Sequence, residues 1–185
     1  MRKFVLAAVL AAGVMAAGSR ADAQDLLRAG THPGYASIGT GPSMGINFLS
    51  GGAFFIWNFN LGVGYHFSGN SGGAAIGGDI GMRIPAIGGF QMTFAPRFTY
   101  DIQIGNTGIY IGPTVAIGLG FVTSASGSGF ALEPSVGVDI KFVLGDRGLL
   151  FVRPLNFGFP IWMSGTGVLG NMAIDFVNFG GGVTF

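Results

Sequence analysis

The sequence predicts an all-β fold, an eight-stranded antiparallel up-and-down transmembrane β-barrel. Three observations carry that expectation. Apolar residues make up 49% of the 185 residues and charged residues only 9%, against roughly 25% charged in an ordinary soluble domain. Along most of the chain, bulky apolar residues alternate with small or polar ones at the two-residue period of a strand. Many of the 36 glycines cluster between those stretches, where they serve as turns. The apolar content excludes a disordered chain. The lack of cysteine excludes a disulfide scaffold. Nine Lys and Arg against eight Asp and Glu leave no basic field for a nucleic acid.

The first segment reads as an address. Met1-Arg2-Lys3 is a short basic start, and residues 4–17 form an uncharged apolar run. Ala21-Asp22-Ala23 places small residues two apart, which suits signal-peptidase cleavage before Gln24. The run is shorter than the ~20 residues of a membrane helix, so export is favoured over anchoring. Cleavage of residues 1–23 removes Arg2, Lys3, Arg20 and Asp22 and leaves six basic against seven acidic residues. Residues 24–34 are expected to be a short periplasmic lead, and 35–185 the barrel. Every later apolar run is soon interrupted by Gly, Pro or a polar residue. A membrane could therefore be crossed only by strands, which must close so that no backbone group is left unpaired in lipid.

The strands follow in order. Residues 35–49 set Ile38, Met44, Ile46 and Phe48 against Ser37, Gly39, Ser43 and Asn47. Residues 55–67 are the cleanest, with Phe55, Trp57, Phe59, Leu61, Val63, Tyr65 and Phe67 on one face. In 74–84, Ile76, Ile80, Met82 and Ile84 oppose Asp79 and Arg83. In 90–104, Phe94, Phe98, Tyr100 and Ile102 oppose Arg97, Thr99 and Asp101. Residues 109–122 alternate Ile111, Val115, Ile117 and Leu119 with Gly112, Thr114, Ala116 and Gly118. Residues 130–144 alternate Val136, Val138, Ile140 and Phe142 with Glu133, Asp139 and Lys141. Residues 149–162 and 168–185 complete the eight. Glycine-rich turns such as Gly69-Asn70-Ser71-Gly72-Gly73 and Gly105-Asn106-Thr107-Gly108 separate them.

Two barrels fit such a pattern, each the other turned inside out. A soluble ligand carrier points its apolar face inward and a charged face to water. A membrane barrel points the apolar face to lipid and the polar face into its lumen. The polar face here is mostly Gly, Ser, Thr, Asn and Ala, which suits a narrow interior and makes a poor soluble surface. The membrane form is therefore expected. By parity Asp79, Arg83, Arg97, Asp101, Glu133, Asp139 and Lys141 face the lumen, and Arg153 balances the count. Burial demands that they pair, giving an ion-pair network that fills the bore.

The last residues sharpen the expectation. Asn178, Gly180, Val183 and Phe185 occupy the places of a polar residue, a glycine and two hydrophobic positions with an aromatic last. This resembles the C-terminal β-signal of bacterial outer-membrane barrels. With the leader and the eight alternating segments, the chain resembles the small eight-stranded group that includes the OmpA transmembrane domain, OmpX and OmpW. The resemblance covers about residues 35–185, by pattern and not by identity. It implies residence in the bacterial outer membrane and insertion by the outer-membrane barrel assembly machinery, which reads the last strand. It implies no single activity. It also implies that both termini are periplasmic and that the loops near 50–54, 85–89, 123–129 and 163–167 face outward. Tyr35, Trp57, Phe67, Phe142 and Trp162 then fall at strand ends, as two aromatic girdles.

The expected function is that of a small structural outer-membrane barrel with a filled lumen, monomeric and contacting membrane lipid. The alternatives are a narrow channel for small or apolar solutes and a soluble periplasmic lipid-binding or ligand-binding barrel. The short external loops argue against adhesion. No cofactor, metal or catalytic residue is expected. His32 and His66 are the only candidate neutral-pH bases, and neither belongs to a legible Ser/His/acid arrangement. Metal-ligand spacing is absent. Pro42, Pro96, Pro113, Pro134 and Pro154 fall inside the proposed strands, where bulges or shorter strands are expected. Arg153 and Asn156 have opposite parity, which requires a bulge between them or one polar group facing out. Asp175 falls on the outward face of the last strand.

Overall fold

The computed structural model describes residues 27, 29–48, 51–86, 88–124, 127–145, 147–164 and 167–185; the expected leader and its expected cleavage site lie outside them. Nine strand segments form one antiparallel sheet: β1 Gly34–Asn47, β2 Ala53–His66, β3 Gly73–Pro85, β4 Phe90–Gln103, β5 Ile109–Ser124, β6 Gly127–Leu144, β7 Gly148–Gly158, β8 Ile161–Ser164 and β9 Gly167–Thr184. Each pairs with its neighbour, β1 also pairs with β9, and the sheet closes. Segments β7 and β8 both lie between β6 and β9 and make one stave broken at Phe159-Pro160. The fold is thus a closed eight-stranded antiparallel barrel with no free edge.

Alternation decides which side faces in. Phe59, Leu61, Ile80, Phe94, Phe98, Ile117 and Leu119 project outward and are exposed. Asn58, Asp79, Arg97, Thr114 and Glu133 project inward and are buried. Among the described residues, Arg147 in a turn is the only charged side chain that does not face the lumen. The interior is not uniformly polar. At the terminal end, where β1 begins and β9 finishes, Tyr35, Tyr110, Val143 and Leu149 form an apolar plug, with Phe151 buried nearby. At the opposite, loop end, Ile56, Val122, Ala131 and Ala173 point inward and are buried. These residues lie on the small-residue face of the alternation, above and below the charges.

Prolines act in two ways. Near Pro96 and Pro113 the β4–β5 ladder is interrupted without a change of register. Near Pro42 the register of β1 against β9 shifts between Thr40 and Ser43, and that of β6 against β7 shifts between Val138 and Ile140, beside Arg153-Pro154. The two shifts share one cause. β7 and β9 each carry one extra residue relative to their outer neighbours, yet keep register with each other through Arg153↔Asn178, Leu155↔Phe176 and Asn156↔Asp175. On each strand two successive residues point outward, Pro154 with Leu155 and Phe176 with Val177. Val177 has φ of 48°, a left-handed conformation that a β-branched side chain rarely adopts. This paired bulge turns Arg153, Asn156, Asp175 and Asn178 inward together. The outward placement of Asp175 expected from simple parity is therefore overturned: Asp175 is 4% exposed and lies inside.

The closing seam between β1 and β9 is built from small residues. Gly39 pairs with Gly180, and the Phe151 ring lies across both from the lumen side. A methyl group on Gly180 would collide with the Ile38 carbonyl on β1, whereas one on Gly181 would point outward into ordinary contact with Leu149. Gly180→Ala is therefore expected to lower stability by about 1–3 kcal/mol and Gly181→Ala to leave it nearly unchanged. Urea unfolding of the two variants in detergent micelles, followed by tryptophan fluorescence, checks the contrast.

Candidate functional site

Among the described residues the lumen is the one place where chemistry-bearing side chains converge, and they do so in three tiers. The tier nearest the loop end centres on Arg83 of β3. Its guanidinium lies against both carboxylate oxygens of Glu133 on β6, and its Nε donates to Asn58 Oδ1 at 3.2 Å. Asp175 of β9 lies 3.7 Å from the same guanidinium. Asp175 also accepts hydrogen bonds from Asn58 at 2.9 Å, from Asn156 at 2.8 Å and from the Ser43 hydroxyl. Gln91 Nε2 donates to Glu133 at 3.1 Å. With Arg83 itself these residues come from seven strands, so the tier ties most of the barrel's circumference together.

The middle tier is a four-membered ring of alternating charge. Arg97 Nη1 donates to Asp79 at 2.9 Å and lies 3.7 Å from Asp139. Arg153 Nε donates to Asp139 at 2.6 Å and its Nη2 lies 3.8 Å from Asp79. Each arginine thus faces both acids, and each acid both arginines. The second Arg97 nitrogen donates to the Tyr35 hydroxyl at 2.9 Å. In the third tier, next to the terminal end, Lys141 Nζ and His66 Nε2 both meet Asp101 Oδ2 at 2.6 Å. Lys141 also stands 4.8 Å from the centroid of the Tyr35 ring, a cation–π distance.

The eight charged residues expected in the lumen all lie there. The structure adds Asp175, and gives the tier around Arg83 four partners with no charge of their own: Ser43, Asn58, Gln91 and Asn156. Two of the expected girdle positions are corrected. Tyr35 is 3% exposed and points inward, because it shares the parity of Ser37 and Gly39 on its own strand; its hydroxyl serves Arg97, not a membrane interface. Trp162 lies opposite buried Ala131, between outward-facing Ile161 and Met163, and its indole nitrogen is fully covered. It joins the apolar cluster at the loop end. Trp57, Phe67 and Phe142 face outward, and the Trp57 indole donates to Thr40 Oγ1 at 2.8 Å.

Of the C-terminal positions, Asn178 is buried inside and Gly180 sits on the inner face of the seam. Val183 and Phe185 project outward and are exposed. The Phe185 backbone exchanges two hydrogen bonds with Gly34, at 2.8 and 2.9 Å, and so completes the closure.

The chemistry of this interior is electrostatic. Among the described residues no group of His, Cys, Asp and Glu could hold a metal. Both ring nitrogens of His66 already face oxygen partners, Pro33 O at 3.0 Å and Asp101, which leaves neither free to activate a nucleophile. The polar void between the upper and middle tiers is about 80 Å³, space for a few waters. Asn60, Asp79, Arg97 and Asn178 line it and present otherwise unpaired polar atoms to hydrate.

Arg83→Met would leave Glu133 and Asp175 facing each other without their cation. It is expected to cost about 3–5 kcal/mol. Adding Glu133→Gln to that variant should recover part of the loss, since a neutral amide needs no counter-charge. A double-mutant cycle by urea titration in micelles checks the sign of that recovery.

No protein-family profile matches the sequence, and no curated protein matches it. The architecture is similar to the crystal structure of Neisserial surface protein A (NspA), at a TM-score of 0.60 and 12% sequence identity, covering 82% of this chain and 97% of that one. At that identity the likeness is one of fold, the closed antiparallel barrel.

Proposed function

We propose that the chain is a small integral outer-membrane barrel whose role is structural, with an interior closed to solute passage. The observation that carries this reading is the division of side chains between the two faces. A continuous apolar exterior surrounds an interior holding nearly all the described charge. In water such an exterior would be an aggregation surface many times the few hundred Å² that soluble monomers tolerate; in a bilayer it is the required solvent-facing surface. A soluble carrier would have its greasy side chains around an internal cavity, and here they point the other way. The similarity to a surface protein supports the same compartment.

Closure of the bore rests on three stacked obstructions: the loop-end apolar cluster, the interlocked charge tiers, and the plug around Tyr35 and Tyr110. Ion passage would require charged groups to part in a low-dielectric interior, where each unpaired charge costs several kcal/mol. The refolded protein in a planar bilayer is expected to show no steady conductance, and the cell fraction holding it to be the outer membrane. Reproducible single-channel steps would favour the narrow-channel alternative, and recovery in the soluble periplasmic extract would favour a carrier.

The C-terminal strand completes the proposal as an assembly signal. Asn178, Gly180, Val183 and Phe185 present an outward apolar edge, Val183 and Phe185, beside a glycine seam. Phe185→Ser keeps the backbone bonds to Gly34. It is expected to reduce the amount inserted in cells by about tenfold while leaving unfolding in micelles within about 0.5 kcal/mol of wild type. Normal membrane levels of this variant would remove the assembly role.

A further inference from the structure

Leu27 and residues 29–33, ahead of β1, lie across the terminal mouth of the barrel as a strap whose backbone makes a series of hydrogen bonds. Gly108 N donates to the Leu27 carbonyl at 3.0 Å and Ser71 N to the Gly30 carbonyl at 3.1 Å. Gly30 N donates to the Tyr110 hydroxyl at 2.8 Å, and the Ser71 hydroxyl to the His32 carbonyl at 2.8 Å. The last anchor is the Pro33 carbonyl, which accepts the His66 backbone N–H at 2.8 Å. The same oxygen lies 3.0 Å from His66 Nδ1.

The surroundings of the His66 ring fix its chemistry. Nδ1 faces a carbonyl oxygen, which can only accept. Nε2 faces Asp101 Oδ2 at 2.6 Å. Lys141 donates to that same oxygen at 2.6 Å, so Asp101 Oδ2 already stands as the acceptor of a charge-assisted hydrogen bond where it meets the ring. A neutral imidazole has one N–H and one lone pair, so in either tautomer a lone pair would point at an oxygen lone pair. Only the imidazolium donates to both. The charge count of the lumen agrees. Arg83, Arg97, Lys141 and Arg153 stand against Asp79, Asp101, Glu133, Asp139 and Asp175, one acid in excess, and a protonated His66 restores neutrality.

From this geometry we propose that His66 is a pH-sensitive latch, a buried imidazolium that fastens the strap across the barrel mouth to the charge network of the lumen. The ionisable groups facing it are Asp101 from β4, Lys141 from β6, Tyr35 from β1 with rings 5.7 Å apart, and Tyr110 from β5 and His32 from the strap in the same small cavity. Its register partner on β3 is Ala75, which cannot ionise. The direction follows from the proton count. While the ring holds both protons, the strap and Asp101 are joined through it. When it loses one as pH rises, one of the two contacts becomes a repulsion between lone pairs and the lumen gains an uncompensated negative charge. The strap is thus fastened at mildly acidic pH and loosened at alkaline pH. The inference needs only the geometry of this mouth and stands whether or not the barrel proves to conduct.

The test uses the wild-type chain in nanodiscs, with nitrogen-15 in histidine and in the backbone, between about pH 5.5 and about pH 9, either side of the usual histidine range. At the lower pH both His66 ring nitrogens are expected to carry protons. On raising the pH, the Ser71 and Gly108 amides, which donate to the strap, should exchange about tenfold faster after correction for hydroxide catalysis, the scale of one charge-assisted hydrogen bond. His66→Gln should show the loosened strap at both pH values. A neutral single tautomer at the lower pH, or strap protection that pH leaves unchanged, overturns the proposal. So does a folded His66→Gln barrel that keeps wild-type protection.

Discussion

Pairing between basic and acidic side chains inside a closed cylinder governs the rest of this structure. Nearly every charge described in the chain has been taken off the exterior and placed where water is scarce. Removing an ion from water costs several kcal/mol even after relaxation, so the interior tolerates charge only where each group has a partner of opposite sign and hydrogen bonds for its remaining atoms. The alternating ring of Arg97, Asp79, Arg153 and Asp139 meets the demand for opposite charge within one layer, and its unpaired atoms, Asp79 Oδ1 and Arg97 Nε, belong to residues that line the polar void beside it. The layer above does so by recruiting Ser43, Asn58, Gln91 and Asn156. Since these partners lie on different strands, the same bonds fix the register of the staves, and one set of contacts serves both solvation and shape.

The apolar ends of the lumen follow from the same constraint. A pairing network open to water at both mouths would be screened and weakened. Ile56, Val122, Ala131 and Ala173 at one end, and Tyr35, Tyr110, Val143 and Leu149 at the other, raise the strength of the pairs between them by keeping solvent away. Tyr35 belongs to both systems: its ring packs in the plug and beside Lys141, while its hydroxyl completes Arg97.

The strand period was enough to read the eight staves and the lumen charges from sequence, because a two-residue alternation assigns every side chain to a face once one is known. It failed where the period itself slipped. Asp175 is on the wrong parity for the lumen, and only the extra residue around Val177 brings it in. A signal was nevertheless present: Arg153 and Asn156 in one strand, and Asp175 and Asn178 in the next, repeat the same polar spacing of three. Two neighbouring strands with one shared irregularity are more economically read as a common bulge than as two polar groups in lipid. Tyr35 and Trp162 were misplaced for a different reason. Their position at strand ends suggested a girdle, while the parity of their own strands, visible for Tyr35 beside Ser37 and Gly39, already pointed inward. The uncharged partners, Ser43, Asn58 and Gln91, could be placed on the correct face but not matched to a charge, since cross-barrel neighbours depend on shear and not on spacing along the chain. The candidate assembly signal was legible only as a motif; its seam of closely approaching glycines needed coordinates.

The paired irregularity in β7 and β9 also bears on how such a chain could change over generations. Loss of a single codon from either strand would turn half of that strand inside out, sending Arg153 or Asp175 toward hydrocarbon and a greasy neighbour toward the guanidiniums. Loss of one from each would leave the two strands matched to each other and restore an uninterrupted alternation. Length variation in this part of the barrel should therefore occur in couples, separated by the turn that joins the two strands, with single deletions purged.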